Sequence, residues 1–206
     1  MHCAAPAQHP FRPRTPHRPG PGRASWKSLL PILFCIAFAL PFDPVRAADQ
    51  PELTTLELTR DEDGVYISFA VEFELSHAVE DALAKGVPLF FVAETQIYRD
   101  RWYWRDRRVA DAVRIWRVVY QPLTSTYRVT FGGLTQSYAS RAEAVAAISR
   151  GTRWKIAEPG QIEEGSRHYV EFSYKLDTTL LPRPMQIGVG GQPEWQLSIR
   201  RTLRLN

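Results

Sequence analysis

The sequence predicts a mainly β fold, an antiparallel β-sandwich or roll of about eight strands with two short helices. The first observation is an unbroken alternation of apolar residues from Val65 to Leu75. The second is that this alternation recurs around Val129, Phe172 and Leu197. A period of two with one polar face is typical of antiparallel sheet, in which one face packs on the core and the other meets water. The element order also fits an α+β fold with both helices on one face of a single sheet.

The first 47 residues predict a disordered basic leader and a signal peptide that is removed on export. Residues 1–28 are rich in proline and contain five basic residues and no acid, a composition that cannot bury a core. The apolar run Ser28–Pro41 precedes a small-residue site at Ala47, as in a secretory signal. The alternative is an uncleaved anchor, but a membrane-spanning helix needs about 20 apolar residues and this run is shorter. We therefore expect one exported domain, residues 48–206, in the periplasm or outside the cell.

The charge of this expected mature domain differs from that of the whole sequence. The chain has 26 bases, 22 acids and a formal net charge of +4. Residues 1–47 hold six of the bases and one of the acids, which leaves 20 bases and 21 acids in the domain. Overall charge therefore gives no support to nucleic-acid binding. Cys3 and Cys35 also lie in the leader, so the domain must be held by its core rather than by disulfides.

The remaining charge is unevenly distributed along the domain. Between Asp49 and Asp81 there are ten acids and one base, whereas Arg99–Arg117 holds seven arginines and three acids. We expect one end of the fold to be acidic and another basic. The alternative is that these stretches pair with each other or with solvent, as charge runs usually do.

Turn and cap signals place the elements in order. Asp61–Gly64 separates two strand segments, and a glycine with positive φ there would close a hairpin. Ser76 caps a helix that ends before Gly86. A capping box at Ser140–Glu143 begins a second helix, which we expect to end at Gly151.

Two segments near the C-terminus complete the chain. Leu180–Gln186 predicts an extended apolar strap over the core, with a docking motif as the alternative. Trp195–Leu205 alternates apolar and polar residues and predicts the last strand.

The segment Leu89–Gln121 predicts the centre of the fold, two long antiparallel strands joined by an aromatic, basic connection. It contains three of the six tryptophans and seven arginines. Arginine offers a planar fork for carboxylate or phosphate, and Trp and Tyr supply rigid contact surface. If the strand alternation continues through the connection, Trp102 and Trp104 point into the core. The sequence pattern does not decide whether these two side chains lie in the core or on the surface. We predict a partner-binding surface formed by Arg99, Arg101, Tyr103, Arg105, Arg107 and Arg108.

The residue patterns favour a binding protein over an enzyme. His77 and His168 lack further ligand residues at metal-site spacing, so we expect both on the surface and predict no metal or cofactor. The acid pairs Glu72/Glu74 and Glu163/Glu164 are the candidates for acid–base work on a glycoside. We expect Glu72 and Glu74 to form a solvated pair on one face of a strand. A small-ligand domain for lipid or glycan is the second hypothesis, and a hydrolase is the third.

Motifs along most of the domain carry a family resemblance. They are Trp104–Arg108, Trp116–Leu123, Tyr127–Val129, the Ser140 helix, Leu181–Gln186 and Trp195–Ser198. Together they resemble the exported bacterial family named domain of unknown function 4390, from about Leu53 to Leu205. The resemblance implies a single exported domain in proteobacterial envelopes and a membrane sensor kinase of the nitrogen-regulation type as a candidate partner. It assigns no catalytic residue. We therefore expect a non-enzymatic periplasmic binding domain whose partner is that kinase or an envelope component, with membrane contact only through an uncleaved leader.

Overall fold

The structure is a computed structural model that describes residues 50–103 and 105–205. The predicted leader, residues 1–47, lies outside the described residues. The described chain contains nine strands: β1 Glu52–Asp61, β2 Gly64–Glu72, β3 Leu89–Arg99, β4 Arg107–Gln121, β5 Thr126–Phe131, β6 Leu134–Tyr138, β7 Arg150–Ala157, β8 His168–Leu176 and β9 Ser198–Leu205. It also contains the α-helices α1 His77–Ala84, α2 Arg141–Ile148 and α3 Arg183–Val189. Within these residues no helix has the length and apolar character to cross a membrane.

The strands form two antiparallel sheets in a sandwich-like arrangement. The smaller sheet has the order β1-β2-β7, and the larger has the order β6-β5-β4-β3-β8-β9. The predicted mainly β antiparallel fold is confirmed, and the chain forms two sheets rather than the single sheet of the α+β alternative. The sequence did not predict β6, because most of its residues are exposed and show no apolar alternation.

The core lies between the two sheets, and the predicted alternation in β2 forms its centre. The inward residues of β2 are Val65, Ile67, Phe69 and Val71, each at most 2% exposed. The ring centroid of Phe69 lies 6.3 Å from that of Trp116 on β4 and 5.0 Å from that of Phe172 on β8. Aromatic rings from both sheets therefore fill the space between them.

The predicted turn between β1 and β2 is confirmed. Asp61 pairs with Gly64 across the hairpin, and Gly64 has φ of +135°. The Asp61 carboxylate accepts the N–H of Asp63 at 3.0 Å, which fixes the turn. A Cβ atom on Gly64 would lie 2.3 Å from the carbonyl oxygen of Ala157 on β7, so this position needs glycine for space as well as for φ.

Both predicted helices form, and each begins at the predicted serine. The Ser76 hydroxyl accepts the N–H of Val79 at the start of α1. The Ser140 hydroxyl accepts the N–H of Glu143 at 3.2 Å at the start of α2. The predicted end of α2 is wrong: the helix ends at Ile148, and Gly151 lies inside β7.

The long central hairpin is confirmed. Strands β3 and β4 pair from Leu89 with Val118 to Arg99 with Arg107, with one irregularity after Ile97. Strand β8 pairs with the other edge of β3, so the hairpin has neighbours on both sides. The larger sheet is thus built around the segment that the sequence placed at its centre.

The segment Leu180–Gln186 is not extended, so the predicted strap is wrong in conformation. It ends a short 3-10 helix and begins α3. Leu181 is 3% exposed and anchors the segment to the core, whereas Leu180 is 41% exposed. The predicted last strand begins at Ser198, and Trp195 lies in a 3-10 turn before it.

Candidate interaction surface

The connection between β3 and β4, residues Asp100–Asp106, carries two exposed aromatic side chains. We call this connection the tip. Trp102 is 85% exposed and Tyr103 is 69% exposed, and their rings meet edge to face with centroids 4.7 Å apart. The interpretation that strand alternation buries Trp102 is wrong, because the strand ends at Arg99 and the period of two ends with it. The predicted side of Trp104 lies outside the described residues.

One carboxylate positions the tip against the larger sheet. Asp106 accepts the backbone N–H of Arg101 at 3.1 Å and the hydroxyl of Tyr169 at 2.9 Å. The Tyr169 ring in turn stacks on that of Tyr98, with centroids 5.2 Å apart. Burial and the hydrogen bond to Asp106 raise the pKa of Tyr169 to about 12. The tip therefore closes on itself and is tied to β8.

The connection between β7 and β8 supports the tip from one side. The N–H of Asp100 donates to the carbonyl of Arg167 at 2.9 Å, and the Asp100 carboxylate lies 3.6 Å from the Arg167 guanidinium. Arg99 pairs with Glu163 in the same connection. An open depression of about 710 Å³ lies between the tip and Gly165–Arg167.

The predicted contact arginines differ in how far their charge is compensated. Arg99 and Arg108 have carboxylate partners, Glu163 and, at 3.8 Å, Asp111. The other three predicted arginines and Tyr103 lie in or next to the tip. Of the described residues, no carboxylate lies within 4.0 Å of the side chains of Arg101, Arg105 and Arg107. Of the five predicted contact arginines, these three are the ones whose side chains have no carboxylate partner among the described residues.

The residues that hold the tip were missed by the sequence analysis. In the sequence Asp106 is one of three acids in an arginine-rich stretch, and Tyr169 and Arg167 lie more than 60 positions further along the chain. Their roles depend on the register in which Arg99 pairs with His168. No local pattern specifies that register, so these residues left no signal in the sequence.

The two histidines have different environments. His77 is exposed as expected, and its Nδ1 lies 3.5 Å from the Asp81 carboxylate. The prediction of a surface position for His168 is wrong, since it is 4% exposed on the inner face of the larger sheet. Its Nδ1 lies 3.0 Å from the carbonyl of Ser166, and its Nε2 has no hydrogen-bond partner among the described residues. Within residues 50–103 and 105–205, no three His, Asp or Glu side chains converge in a group that could hold a metal ion.

We expected one end of the fold to be acidic and another basic. The structure contradicts this expectation, because the acidic residues do not lie together at one end. The Asp61–Gly64 turn lies at the same end as the tip, because Arg60 approaches the carbonyl of Ile162 within 3.5 Å and the same connection continues to Arg167. Glu72 lies at the opposite end of β2. The acidic stretch is therefore divided between the two ends of the sandwich.

Glu72 and Glu74, one of the two acid pairs considered for glycoside chemistry, lie at an open groove of about 870 Å³ beside α2. Strand β2 ends at Glu72, so Glu74 lies beyond it and the expected shared strand face is wrong. Both side chains line the groove and are exposed. A third acid in the groove, Glu80, pairs with Arg141 at 2.6 Å.

Comparison with known proteins identifies a family. No curated protein and no solved structure matches the chain. A family model described as Domain of unknown function (DUF4390) matches residues 48–205, which include every described strand and helix. The chain therefore belongs to this family.

Proposed function

We propose that this protein is an exported, non-enzymatic binding domain that contacts a component of the cell envelope through the tip. The observation that carries the proposal is the exposed pair Trp102 and Tyr103 beside three arginines that have no carboxylate partner in the described part of the chain. Large exposed aromatic side chains next to arginine are typical of interface hot spots. The compartment rests on the signal peptide predicted in residues 1–47.

The way in which the tip is held supports binding rather than a mobile linker. Asp106 and Arg167 fix the loop through hydrogen bonds and an ion pair, so a partner does not have to order it. Pre-organisation of this kind strengthens binding because less conformational entropy is lost on association. The membrane sensor kinase implied by the family resemblance, or another envelope component, is the proposed partner.

The test is co-purification of the domain after crosslinking in intact cells. We expect wild type to capture a defined set of envelope components and the variant Arg101→Ala/Arg105→Ala/Arg107→Ala, called the tip arginine variant, to lose them. The matched control is Arg117→Ala/Arg128→Ala/Arg200→Ala, called the sheet arginine variant. Its three arginines are exposed, lie on β4, β5 and β9, and lack carboxylate partners among the described residues. Capture by the tip arginine variant equal to that by wild type contradicts the proposed surface.

A second candidate function is favoured by a groove at the edge of the larger sheet. This groove of about 440 Å³ has apolar and polar lining residues: Trp116, Val129, Phe131, Leu134, Thr135, Gln136 and Tyr138 from the sheet, and Ala147 from α2. Its size falls within the range of small-molecule sites, roughly 300–1,000 Å³. The apolar residues of this lining can contact a lipid chain, and Thr135, Gln136 and Tyr138 can bind a lipid headgroup or a glycan.

The ligand hypothesis is tested by filling the groove. We expect Ala147→Leu to abolish the binding of a fluorescent fatty acid to the domain. Ala146→Leu, at the preceding residue of α2, should leave this binding unchanged because Ala146 does not line the groove. Equal binding by both variants, or no binding by wild type, removes this candidate.

A further inference from the structure

We propose that the partner of the tip is the surface of a phospholipid bilayer with anionic headgroups. This inference rests on the proposed function, in which the tip is the contact surface. Among the envelope components proposed there it selects lipid over the sensor kinase, and it departs from the expectation that only an uncleaved leader contacts the membrane. The aromatic pair would lie among the headgroups, and the arginines would bind phosphate oxygens.

The two aromatic side chains have the chemistry of a membrane interface. Trp and Tyr combine an apolar ring with a polar N–H or O–H, and they concentrate at the level of lipid headgroups. Trp102 and Tyr103 are adjacent at the turn of the tip and are the most exposed aromatic residues among those described. At this position both rings can enter a headgroup layer without any change in the sheets.

The charges around the aromatic pair favour an anionic partner. Three carboxylates in or beside the tip are already engaged: Asp100 with Arg167, Asp106 with the Arg101 N–H and Tyr169, and Glu163 with Arg99. Glu164 in the β7–β8 connection has no cationic partner among the described residues. The side chains of Arg101, Arg105 and Arg107 remain without carboxylate partners in the described part of the chain. Guanidinium groups bind phosphate with paired N–H donors. Lipid phosphates would therefore be the anionic partners of these three arginines.

The overall charge makes this attraction local. From residue 48 onward acids exceed bases by one, so the domain as a whole is not drawn to an anionic surface. Attraction therefore depends on the orientation that presents the tip, and it decays over about 8 Å at physiological ionic strength.

The size of the tip favours a lipid surface over a protein. A stable protein interface of standard size uses roughly 20–30 residues on each side. The tip contains seven residues, and the supporting depression adds Gly165–Arg167. An interfacial anchor needs only a few aromatic and basic side chains, which matches what the structure presents.

The experiment measures vesicle binding by residues 48–206. All described strands, helices and core residues lie in this segment, which forms one compact unit without the leader. Omitting residues 1–47 keeps their basic residues and apolar run from contributing to vesicle binding, and near-ultraviolet circular dichroism verifies folding. Co-sedimentation is compared for vesicles of phosphatidylglycerol mixed with phosphatidylcholine and for vesicles of phosphatidylcholine alone. We expect binding to the anionic vesicles only, with a blue shift of tryptophan fluorescence and weakening as salt rises.

The variants separate the two contributions. Because each interfacial Arg contributes roughly fivefold, the tip arginine variant should bind about a hundredfold more weakly. Trp102→Ala should weaken binding about tenfold, as expected for one large aromatic side chain, and should remove the blue shift. The sheet arginine variant, with the same net charge as the tip arginine variant, should bind as wild type does.

The outcomes separate this inference from the proposed function. Equal binding to neutral and anionic vesicles, no vesicle binding by wild type, or unchanged binding by both tip variants overturns the lipid inference. If vesicles are not bound but crosslinked proteins are captured in a manner that depends on the tip arginines, the partner is a protein and the proposed function stands. If neither assay depends on the tip, both proposals are wrong.

Discussion

The ring of Phe69 on β2 occupies the space into which a side chain at Gly151 on β7 would project. A Cβ atom built on Gly151 falls 2.3 Å from Cε1 of Phe69, closer than non-bonded carbon atoms approach. The Phe69 ring cannot easily move aside, because it lies against Trp116 and Phe172 of the other sheet. A glycine at this position therefore lets β7 pair with β2 while the aromatic core stays filled.

The variant Gly151→Ala should destabilise the domain. The added methyl group overpacks a filled core, a change that typically costs about 1–3 kcal/mol. Urea unfolding followed by tryptophan fluorescence measures the loss. Gly160→Ala is the control, since its Cβ would meet nothing within 4 Å, and it should stay within about 0.5 kcal/mol of wild type. Equal urea midpoints for the two variants would show that the Phe69 ring can move to accommodate the added methyl group.

A cation between aromatic rings joins the two sheets at one edge. The Arg114 guanidinium on β4 lies 4.9 Å from the ring centroid of Trp154 on β7 and 5.4 Å from that of Phe131 on β5. Burial lowers the pKa of Arg114, which reflects the lost hydration of the cation, and the two ring faces offset that loss.

Removal of this cation should weaken the contact between the sheets. Two cation–π contacts at a half-buried site contribute about 1–2 kcal/mol, so we expect Arg114→Ala to lower the free energy of unfolding by that amount. Arg117→Ala on the same strand removes an exposed arginine without such contacts and should change stability by less than about 0.5 kcal/mol. Urea titration of both variants makes the comparison. If Arg114→Ala is no less stable than Arg117→Ala, the rings contribute nothing measurable.

The parts of the fold that the sequence predicts well are those whose local pattern records burial. The alternation in β2 and β8 reflects one face in the core, and the apolar run in β3 reflects the burial of Phe91, Val92 and Ala93. Strand β6 escaped prediction because it is exposed along most of its length. The segment Leu180–Gln186 was misinterpreted because prolines and apolar residues suit both an extended strap and the start of a helix.

The candidate site shows the same division. Its arginines stay a prediction, which rests on residue type alone because arginine is suited to contact with anionic groups. The side of Trp102 was not predicted, since the strand ends at Arg99 and local periodicity does not show where a strand ends. The burial of His168 and the bond between Asp106 and Tyr169 depend on strand pairing across more than 60 residues. Such pairing is a property of the whole sheet, and no single segment encodes it.

The two helix-capping serines should differ in their contribution to stability. The Ser140 hydroxyl caps α2 only, and its replacement by alanine should cost about 1 kcal/mol. The Ser76 hydroxyl accepts the Val79 N–H and also donates to the carbonyl of Glu194 at 2.6 Å, which ties α1 to the segment before β9. Ser76→Ala should therefore cost about 1 kcal/mol more than Ser140→Ala. Thermal or urea unfolding of both variants measures the difference, and equal losses would mean that the bond to Glu194 adds no net stability.

The bond between Asp106 and Tyr169 should be visible in the titration of that tyrosine. Its pKa is raised to about 12, whereas an unfolded tyrosine titrates near about 10. Because the folded state favours the protonated phenol, this contribution to stability is fully present below about pH 10 and is lost as the pH rises towards about 12. Difference absorbance between wild type and Tyr169→Phe isolates the Tyr169 titration.

The variant Asp106→Asn should lower the pKa of Tyr169 towards its ordinary value. The substitution removes the carboxylate charge that opposes ionisation of the phenol, while the contribution of burial remains. Asp111→Asn is the matched control, since Asp111 is an exposed carboxylate that pairs with Arg108 and not with Tyr169. The same loss should loosen the tip, because the Arg101 N–H loses a charged acceptor, so amide exchange at Arg101 should accelerate in Asp106→Asn alone. A Tyr169 titration that is identical in the two variants, together with unchanged exchange at Arg101, would show that Asp106 does not hold the tip.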